Sequence, residues 1–349
     1  MLHLFMKFTL SVNKYLSNPY ILFNSSEIGG GGCYRIPSLV TTLDGTLLAF
    51  ADMRPNSCWD MNINNDIKIA LRSSKDGGKT WSPVRIIIDH PVNISTSDPS
   101  TILNTQTGEI LLIYNLWDWT HAKGVYKQFV TISNDNGDTW CEPFEITDQI
   151  APPESEKAFK FITSGKGAQG KNGYLYQTLV YQPNGGVWLI ESQNGGRNWT
   201  RFDLEIKPAS ETNIAALNNG NLLLNSRTSL GHRYLYEIDP INRKIVRSEE
   251  RSDLPDPSCN GGFMNYFYGK SNVLFFSNSA SKSGRINMTI RYSLDEGHTF
   301  SKGKVVYPKN GGYSSLSITK YFDLAMFYEY PDGNGLAIEI LPMSWVMDQ

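Results

Sequence analysis

The sequence predicts an all-β chain folded as a six-bladed β-propeller with Asp-box hairpin turns. Three observations carry that prediction: one eight-residue pattern recurs, its copies keep a fixed interval, and the residues around them alternate as strands do. The pattern is Ser-x-Asp-x-Gly-x-Thr-Trp. It stands at Ser74 to Trp81 and Ser133 to Trp140, in degraded form at Ser192 to Trp199, and again at Ser293 to Phe300. The first three copies start 59 residues apart, and the wider gap before the fourth leaves room for a unit whose turn has drifted. A fixed internal period signals a repeat architecture. The 349 residues hold about six such units, and six four-stranded units closing in a ring make a propeller.

Each copy reads as a hairpin. Asp and Asn side chains bond backbone amides two residues on, and Gly takes positive φ at low steric cost, so Asp-x-Gly makes a tight turn. Ile67, Ile69 and Leu71 alternate before the first turn, and Phe129, Thr131 and Ser133 before the second. The terminal Trp or Phe is large enough to pack across the base. These motifs therefore read as folding elements. Alternating runs from Leu47 to Ala51, Ile110 to Tyr114 and Tyr174 to Tyr181 continue the pattern, and 30 Gly, 17 Pro and 12% aromatics suit a strand-and-turn chain. No linker separates the repeats, so residues 18–349 are expected to form one propeller domain, with 1–17 as an extension.

Other features exclude more than they assign. Lys plus Arg is 32 and Asp plus Glu is 34, without a basic run, which argues against nucleic acid as a partner. No apolar run reaches the ~18 residues that span a membrane. Met1 to Val12 is apolar but lacks a charged start and a small-residue end, so the extension reads as a weak signal peptide or a disordered arm. Secretion and a cytoplasmic location both stay open, as does oligomeric state. Cys33, Cys58, Cys141 and Cys259 have no metal-like spacing and read better as isolated thiols than as a framework, although Cys33 and Cys58 flank one candidate site and could pair. The Asn-x-Ser/Thr sites at Asn24, Asn93, Asn198 and Asn287 matter only for a chain secreted by a eukaryotic cell.

Gly165-Lys166-Gly167-Ala168-Gln169-Gly170 matches the dinucleotide-binding pattern, and with Lys171-Asn172 it nearly matches a P-loop. Both motifs need a strand before and a helix after. Here Tyr174, Tyr176 and Thr178 alternate as a strand instead, so the stretch reads as a Gly-rich loop. The five histidines show no zinc-hydrolase spacing. No metal or organic cofactor is expected.

The chemistry lies outside the repeats, beginning with Tyr34-Arg35-Ile36-Pro37-Ser38-Leu39. Arg-Ile-Pro together with several Asp boxes resembles the sialidase (neuraminidase) superfamily, and the likeness covers nearly the whole chain. That resemblance implies three arginines clamping a substrate carboxylate. Arg35 is the first, Arg227 in Leu224-Asn225-Ser226-Arg227 the second, and Arg285 in Ser283-Gly284-Arg285 the third. Arg291 competes for the third place, but it stands two residues before its Asp box, as Arg72 does, and a repeat-equivalent residue more often serves the repeat. By the same resemblance Asp60 is the general acid/base, Glu211 activates the nucleophile, Tyr313 is that nucleophile, and Glu329 in Phe327-Tyr328-Glu329 orients Arg35. Ser315 stands where the family often has Asp. Asp66 reads as structural. Arg54 and Asp98 match positions that contact the sugar's 4-position, while Trp117 and Trp119 either line a pocket for an N-acetyl methyl or pack the core.

The chemistry is coherent. Planar guanidinium groups bind carboxylates in bidentate fashion and stay charged. Sialic acid carries a carboxylate on its anomeric carbon, so an anionic nucleophile would meet repulsion there, and sialidases with a Tyr nucleophile are a known exception among glycosidases. A neutral phenol avoids the repulsion but is weakly nucleophilic at its pKa of ~10, so a carboxylate must take its proton. The expected function is a retaining exo-α-sialidase acting on sialylated glycans, glycoproteins or glycolipids. The rivals are an intermolecular or intramolecular trans-sialidase on the same fold, and a non-catalytic Asp-box propeller that binds glycans or proteins.

Overall fold

The computed structural model describes residues 19–120, 126–151, 159–181, 185–331 and 334–348. The proposed extension at 1–17 lies outside the described residues. Those described form six sheets in a ring, one blade each and antiparallel apart from one short added strand, as the repeat count predicts. Blade one runs Cys33–Thr41, Leu47–Arg54, Lys68–Ser74, Arg85–Ile88 from the axis outward. Blades two, three, four and five begin at the axis with Ile94–Leu103, Lys160–Ile162, Thr212–Ala216 and Gly262–Tyr268. Blade six takes Ser314–Ile318, Leu324–Tyr330 and Gly335–Leu341 from the end of the chain. Its outermost strand is Tyr20–Asn24 from the beginning, which pairs antiparallel with Gly335–Leu341 and closes the ring.

The Asp boxes join the third and fourth strands of their blades. In the first, Asp76 Oδ1 accepts from the backbone of Thr80 at 2.9 Å and from the Ser74 hydroxyl at 2.8 Å, while Ser74 Oγ accepts from Gly78 N at 2.8 Å. The same bonds recur around Asp135 and Asp295. The degraded copy keeps them with Asn194, which accepts from Asn198 N at 2.9 Å. The drifted unit is blade four, where Asp239 Oδ1 accepts from Ile241 N and Asn242 N without any glycine.

Each box also staples two blades. The glycine at its fifth position has positive φ and faces an apolar side chain of the preceding blade: Gly78 meets Ile340, Gly137 meets Leu48, Gly196 meets Leu111, and Gly297 meets Leu223. A Cβ at Gly196 would lie 2.0 Å from Leu111 Cδ2. Arginines from the preceding blade close the contact, Arg85 donating to the carbonyls of Gly137 and Asp138 and Arg251 to that of Gly297. The core follows from this arrangement. Six apolar clusters fill the six interfaces between neighbouring blades, so no blade can bury its faces alone.

The Gly-rich stretch is not followed by a helix. Gly165–Lys166 pairs parallel with the inner strand of blade two, and Ala168–Gln169 pairs antiparallel with Leu175–Tyr181 of blade three. Among the described residues no helix is long and apolar enough to cross a membrane.

Candidate active site

All six inner strands run in the same sense along the axis, so the residues at their starts meet at one mouth of the central channel. Arg35 enters there on a strained bulge. The pairing of blade one shifts register between Arg35 and Ser38, and Ile36 has φ 57°. A β-branched residue in that region, preceding a proline, is sterically costly. Blade two repeats the device: register shifts between Ser97 and Ser100, and Asp98, before Pro99, has φ 59°. Bulges re-aim side chains, and these two turn Arg35 and Asp98 toward the same mouth.

Glu329 holds the entry together. Its Oε1 accepts from Arg35 Nε at 3.1 Å and from Ile36 N at 3.3 Å, while its Oε2 accepts from Tyr313 N at 3.1 Å. One buried carboxylate therefore positions Arg35 and the Tyr313 backbone. Burial alone would raise its pKa, but Arg35 and these backbone donors hold it below the usual glutamate range. Gly312 makes room for it, since a Cβ there would lie 2.0 Å from Glu329 Oε2.

Tyr313 stands at the centre. Its hydroxyl donates to Glu211 Oε2 at 2.8 Å and accepts from Arg227 NH1 at 2.9 Å, and Arg227 also pairs directly with Glu211. Ser258 accepts from Arg227 Nε at 3.2 Å and fixes the guanidinium. The Arg285 guanidinium carbon lies 5.4 Å from the centre of the Tyr313 ring. Burial and the Glu211 carboxylate push the phenol well above the ordinary tyrosine value, against the pull of Arg227 and Arg285. It is neutral at rest. Arg35, Arg285 and Glu329 line a cavity of about 410 Å³.

Asp60 projects from the segment between the second and third strands of blade one, and its side chain is 69% exposed. Its Oδ1 accepts from Arg35 NH1 at 2.9 Å and Arg54 NH1 at 2.7 Å. Partial desolvation by the surrounding protein would raise this carboxyl, but Arg54 and then Arg35 hold it below the usual aspartate range. Cys33 and Cys58 form a disulfide that ties this segment to the strand carrying Arg35, the pairing that the sequence had ranked second to free thiols. Cys141 and Cys259 are free.

The structure separates the two competing arginines. Arg291 is buried in the third strand of blade five, where it donates to Asn278 Oδ1 at 3.3 Å, while Arg285 faces the mouth. Trp117 and Trp119 stack at 4.7 Å and pack with Met61 and Tyr126 beneath the Asp60 segment. Sequence reasoning missed Asp52 and Ser97. Asp52 is fully buried, pairs with Arg54 at 2.8 Å and accepts from Ser97 Oγ at 2.5 Å and Asp98 N at 3.1 Å. The signal was available: Asp52 and Arg54 are two apart on one strand and so share a face.

A family described as the BNR repeat-like domain matches residues 45–332. The chain belongs to that family. Its relatives place it in the sialidase superfamily. It is 30% identical over 338 residues to a sialidase of Bacteroides fragilis, covering 85% of this chain and 60% of that one. It is 29% identical over 354 residues to a sialidase of Micromonospora viridifaciens, covering 90% and 52%. This chain thus spans only about half to three-fifths of the length of those relatives. Among solved structures, Hadza microbial sialidase Hz136 superposes with a TM-score of 0.83 at 23% identity, covering 94% of this chain and 69% of that one. At that identity the likeness speaks for the fold.

Proposed function

We propose that this propeller is a retaining exo-α-sialidase that releases terminal sialic acid from glycoconjugates through a tyrosine nucleophile. The observation that carries the reading is the Tyr313 hydroxyl, 2.8 Å from Glu211 Oε2 and 2.9 Å from Arg227 NH1. The three residues come from different strand ends and meet only at this mouth. A buried phenol with a carboxylate acceptor and a cationic donor is an activated-nucleophile arrangement.

Arg35, Arg227 and Arg285 receive the substrate carboxylate. In the free site Asp60 occupies Arg35, so an arriving carboxylate competes with it and cancels part of the positive field that keeps Asp60 ionised. Binding thereby raises Asp60 toward the protonated form that a general acid needs. Asp60 then protonates the departing oxygen as Tyr313 attacks the anomeric carbon and its proton passes to Glu211. The covalent glycosyl–tyrosine is resolved by water that Asp60, now ionised, activates. Arg54 and Asp98 meet the sugar hydroxyl at position 4. Burial, with Asp52 and Glu211 nearby, raises Asp98 well above the ordinary aspartate value, so it can donate as well as accept there.

Product analysis with sialyl-lactose tests the reading. Free sialic acid supports hydrolysis. Sialic acid moved to an added acceptor, or an anhydro sugar, would assign transfer on the same machinery, and no product would leave a binding propeller.

A further inference from the structure

We propose that the channel mouth opposite the arginines is a second binding site, which takes a small organic anion whose charged head meets Lys166 and whose ring or sugar body packs on Tyr266 and Phe267. The inner strands that start beside Arg35 and Tyr313 end at Thr41 and Ile318, roughly 15–20 Å away at ~3.3 Å per residue. There the channel opens into a cavity of about 560 Å³, lined by Thr41, Lys166, Gln169, Lys171, Tyr266 and Phe267. That volume suits a small molecule (about 300–1,000 Å³), and it exceeds the cavity beside the arginines.

The Gly-rich stretch builds this site. Running from blade two to blade three, it crosses the channel and carries Lys166 toward the axis. Ser38 Oγ donates to the Gly165 carbonyl at 2.5 Å and anchors the crossing. Gly167 fits only without a side chain, because a Cβ would lie 2.6 Å from the Tyr176 carbonyl oxygen. From this crossing Lys166 Nζ donates to Leu316 O at 3.1 Å in the inner strand of blade six. That bond uses one of the three ammonium donors.

Among the described residues, what the site lacks is a negative charge. The buried arginines Arg54 and Arg233 each have an aspartate, Asp52 at 2.8 Å and Asp256 at 3.4 Å. Lys166 has no such partner among the described residues, and burial alone pulls its pKa down to about 8. A half-buried cation without a counter-charge carries part of the cost of a buried one, and an anionic ligand would remove that cost. Lys171 adds a second cation at the rim, its ammonium 5.3 Å from the centre of the Phe267 ring. Tyr266 is half-buried and Phe267 is 39% exposed, so both present ring surface to an occupant.

The site shares no residue with the arginine clamp and stands or falls apart from the proposed activity. Benzoate is the probe, inorganic phosphate the ring-free comparison, and the readout is the side-chain NMR signal of Lys166 in the full chain. That readout matters because benzoate can also meet the clamp arginines. The signal is assigned by its loss in Lys166→Met, with Lys166→Gln as the alternative should the first variant misfold. Millimolar benzoate should shift the signal saturably and raise the proton affinity of Lys166 about tenfold or more, with phosphate several-fold weaker. A Lys166 signal that stays still, or that drifts without saturating, would overturn the site. Equal shifts from phosphate and benzoate would overturn the packing on Tyr266 and Phe267.

Discussion

Tyr313→Phe separates the proposed nucleophilic role of Tyr313 from its role in the fold. The substitution keeps the ring, the Glu329 contact to the Tyr313 amide and the Arg285 cation over the ring, and removes one oxygen. Two hydrogen bonds go with it, at 2.8 Å to Glu211 and 2.9 Å from Arg227. At about 1.5–3 kcal/mol for each bond to a charged group, the upper bound on lost stability is roughly 6 kcal/mol. The direct Arg227–Glu211 pair leaves neither charge alone, which moves the expected cost toward zero. Turnover should behave differently, because no other oxygen at that point can bond the anomeric carbon. A loss in kcat/KM of at least about 10³-fold, or ~4 kcal/mol in activation free energy, is expected. A fluorinated sialyl analogue that traps glycosyl-enzymes should add mass to the wild-type peptide bearing Tyr313, and Glu211→Gln should slow that labelling without moving it. An adduct on Asp60 or Glu211 would refute the tyrosine mechanism. So would a Tyr313→Phe variant that still hydrolyses sialosides within tenfold of wild type.

Arg285→Ala should weaken binding of a sialic-acid analogue by about 2–5 kcal/mol, while Arg291→Ala should mainly lower the melting temperature; calorimetry on the folded variants that ranks them the other way would reverse the assignment. Asp60, held below the ordinary aspartate range by Arg54 and Arg35 against partial desolvation, contributes stability that is present above its unfolded pKa of ~3.9 and lost as pH falls through the lower folded value. Asp60→Asn should therefore melt below wild type at neutral pH, with the gap closing under acid; a gap unchanged down to about pH 3 would show that the ion pairs contribute nothing. Gly196→Ala puts a Cβ 2.0 Å from Leu111 at φ 88°, and strain plus overpacking should cost about 2–4 kcal/mol. Leu111→Ala should recover part of that loss in the double variant, and strictly additive losses in denaturant melts would argue against the blade staple.

The Asp boxes were readable in the sequence because every bond they make is local. Ser74, Asp76, Gly78 and Thr80 satisfy one another within seven residues, so the motif specifies its turn wherever it occurs. Repetition of that turn at a fixed interval, with alternating apolar runs between, determined the blades and their number. Blade four shows the limit: Asp239 keeps the turn without the glycine, and no pattern search would have found it. Asp52 was equally legible as the in-strand partner of Arg54, and was missed for want of applying the two-residue period to charged residues.

Other features depend on ring closure. The Tyr313–Glu211 bond joins residues 102 apart and the Arg35–Glu329 pair residues 294 apart. Only the convergence of six inner strands on one mouth brings such partners together. Repeat spacing could favour Arg285 over Arg291, but not state which of them stands over Tyr313. The Cys33–Cys58 pairing depended on how the Asp60 segment folds back over blade one. The positive φ of Ile36 runs against the preference of its own residue type, so local sequence argued for the opposite conformation. Lys166 gave the plainest case. Its Gly-rich surroundings resembled a phosphate loop by pattern, yet the chain lays them across the channel as two short strands, and among the described residues its charge meets a backbone carbonyl of blade six and no carboxylate. Local hydrogen bonding and periodicity are properties of a few consecutive residues and can be read in one dimension. The company a charge keeps across a closed ring is a property of three.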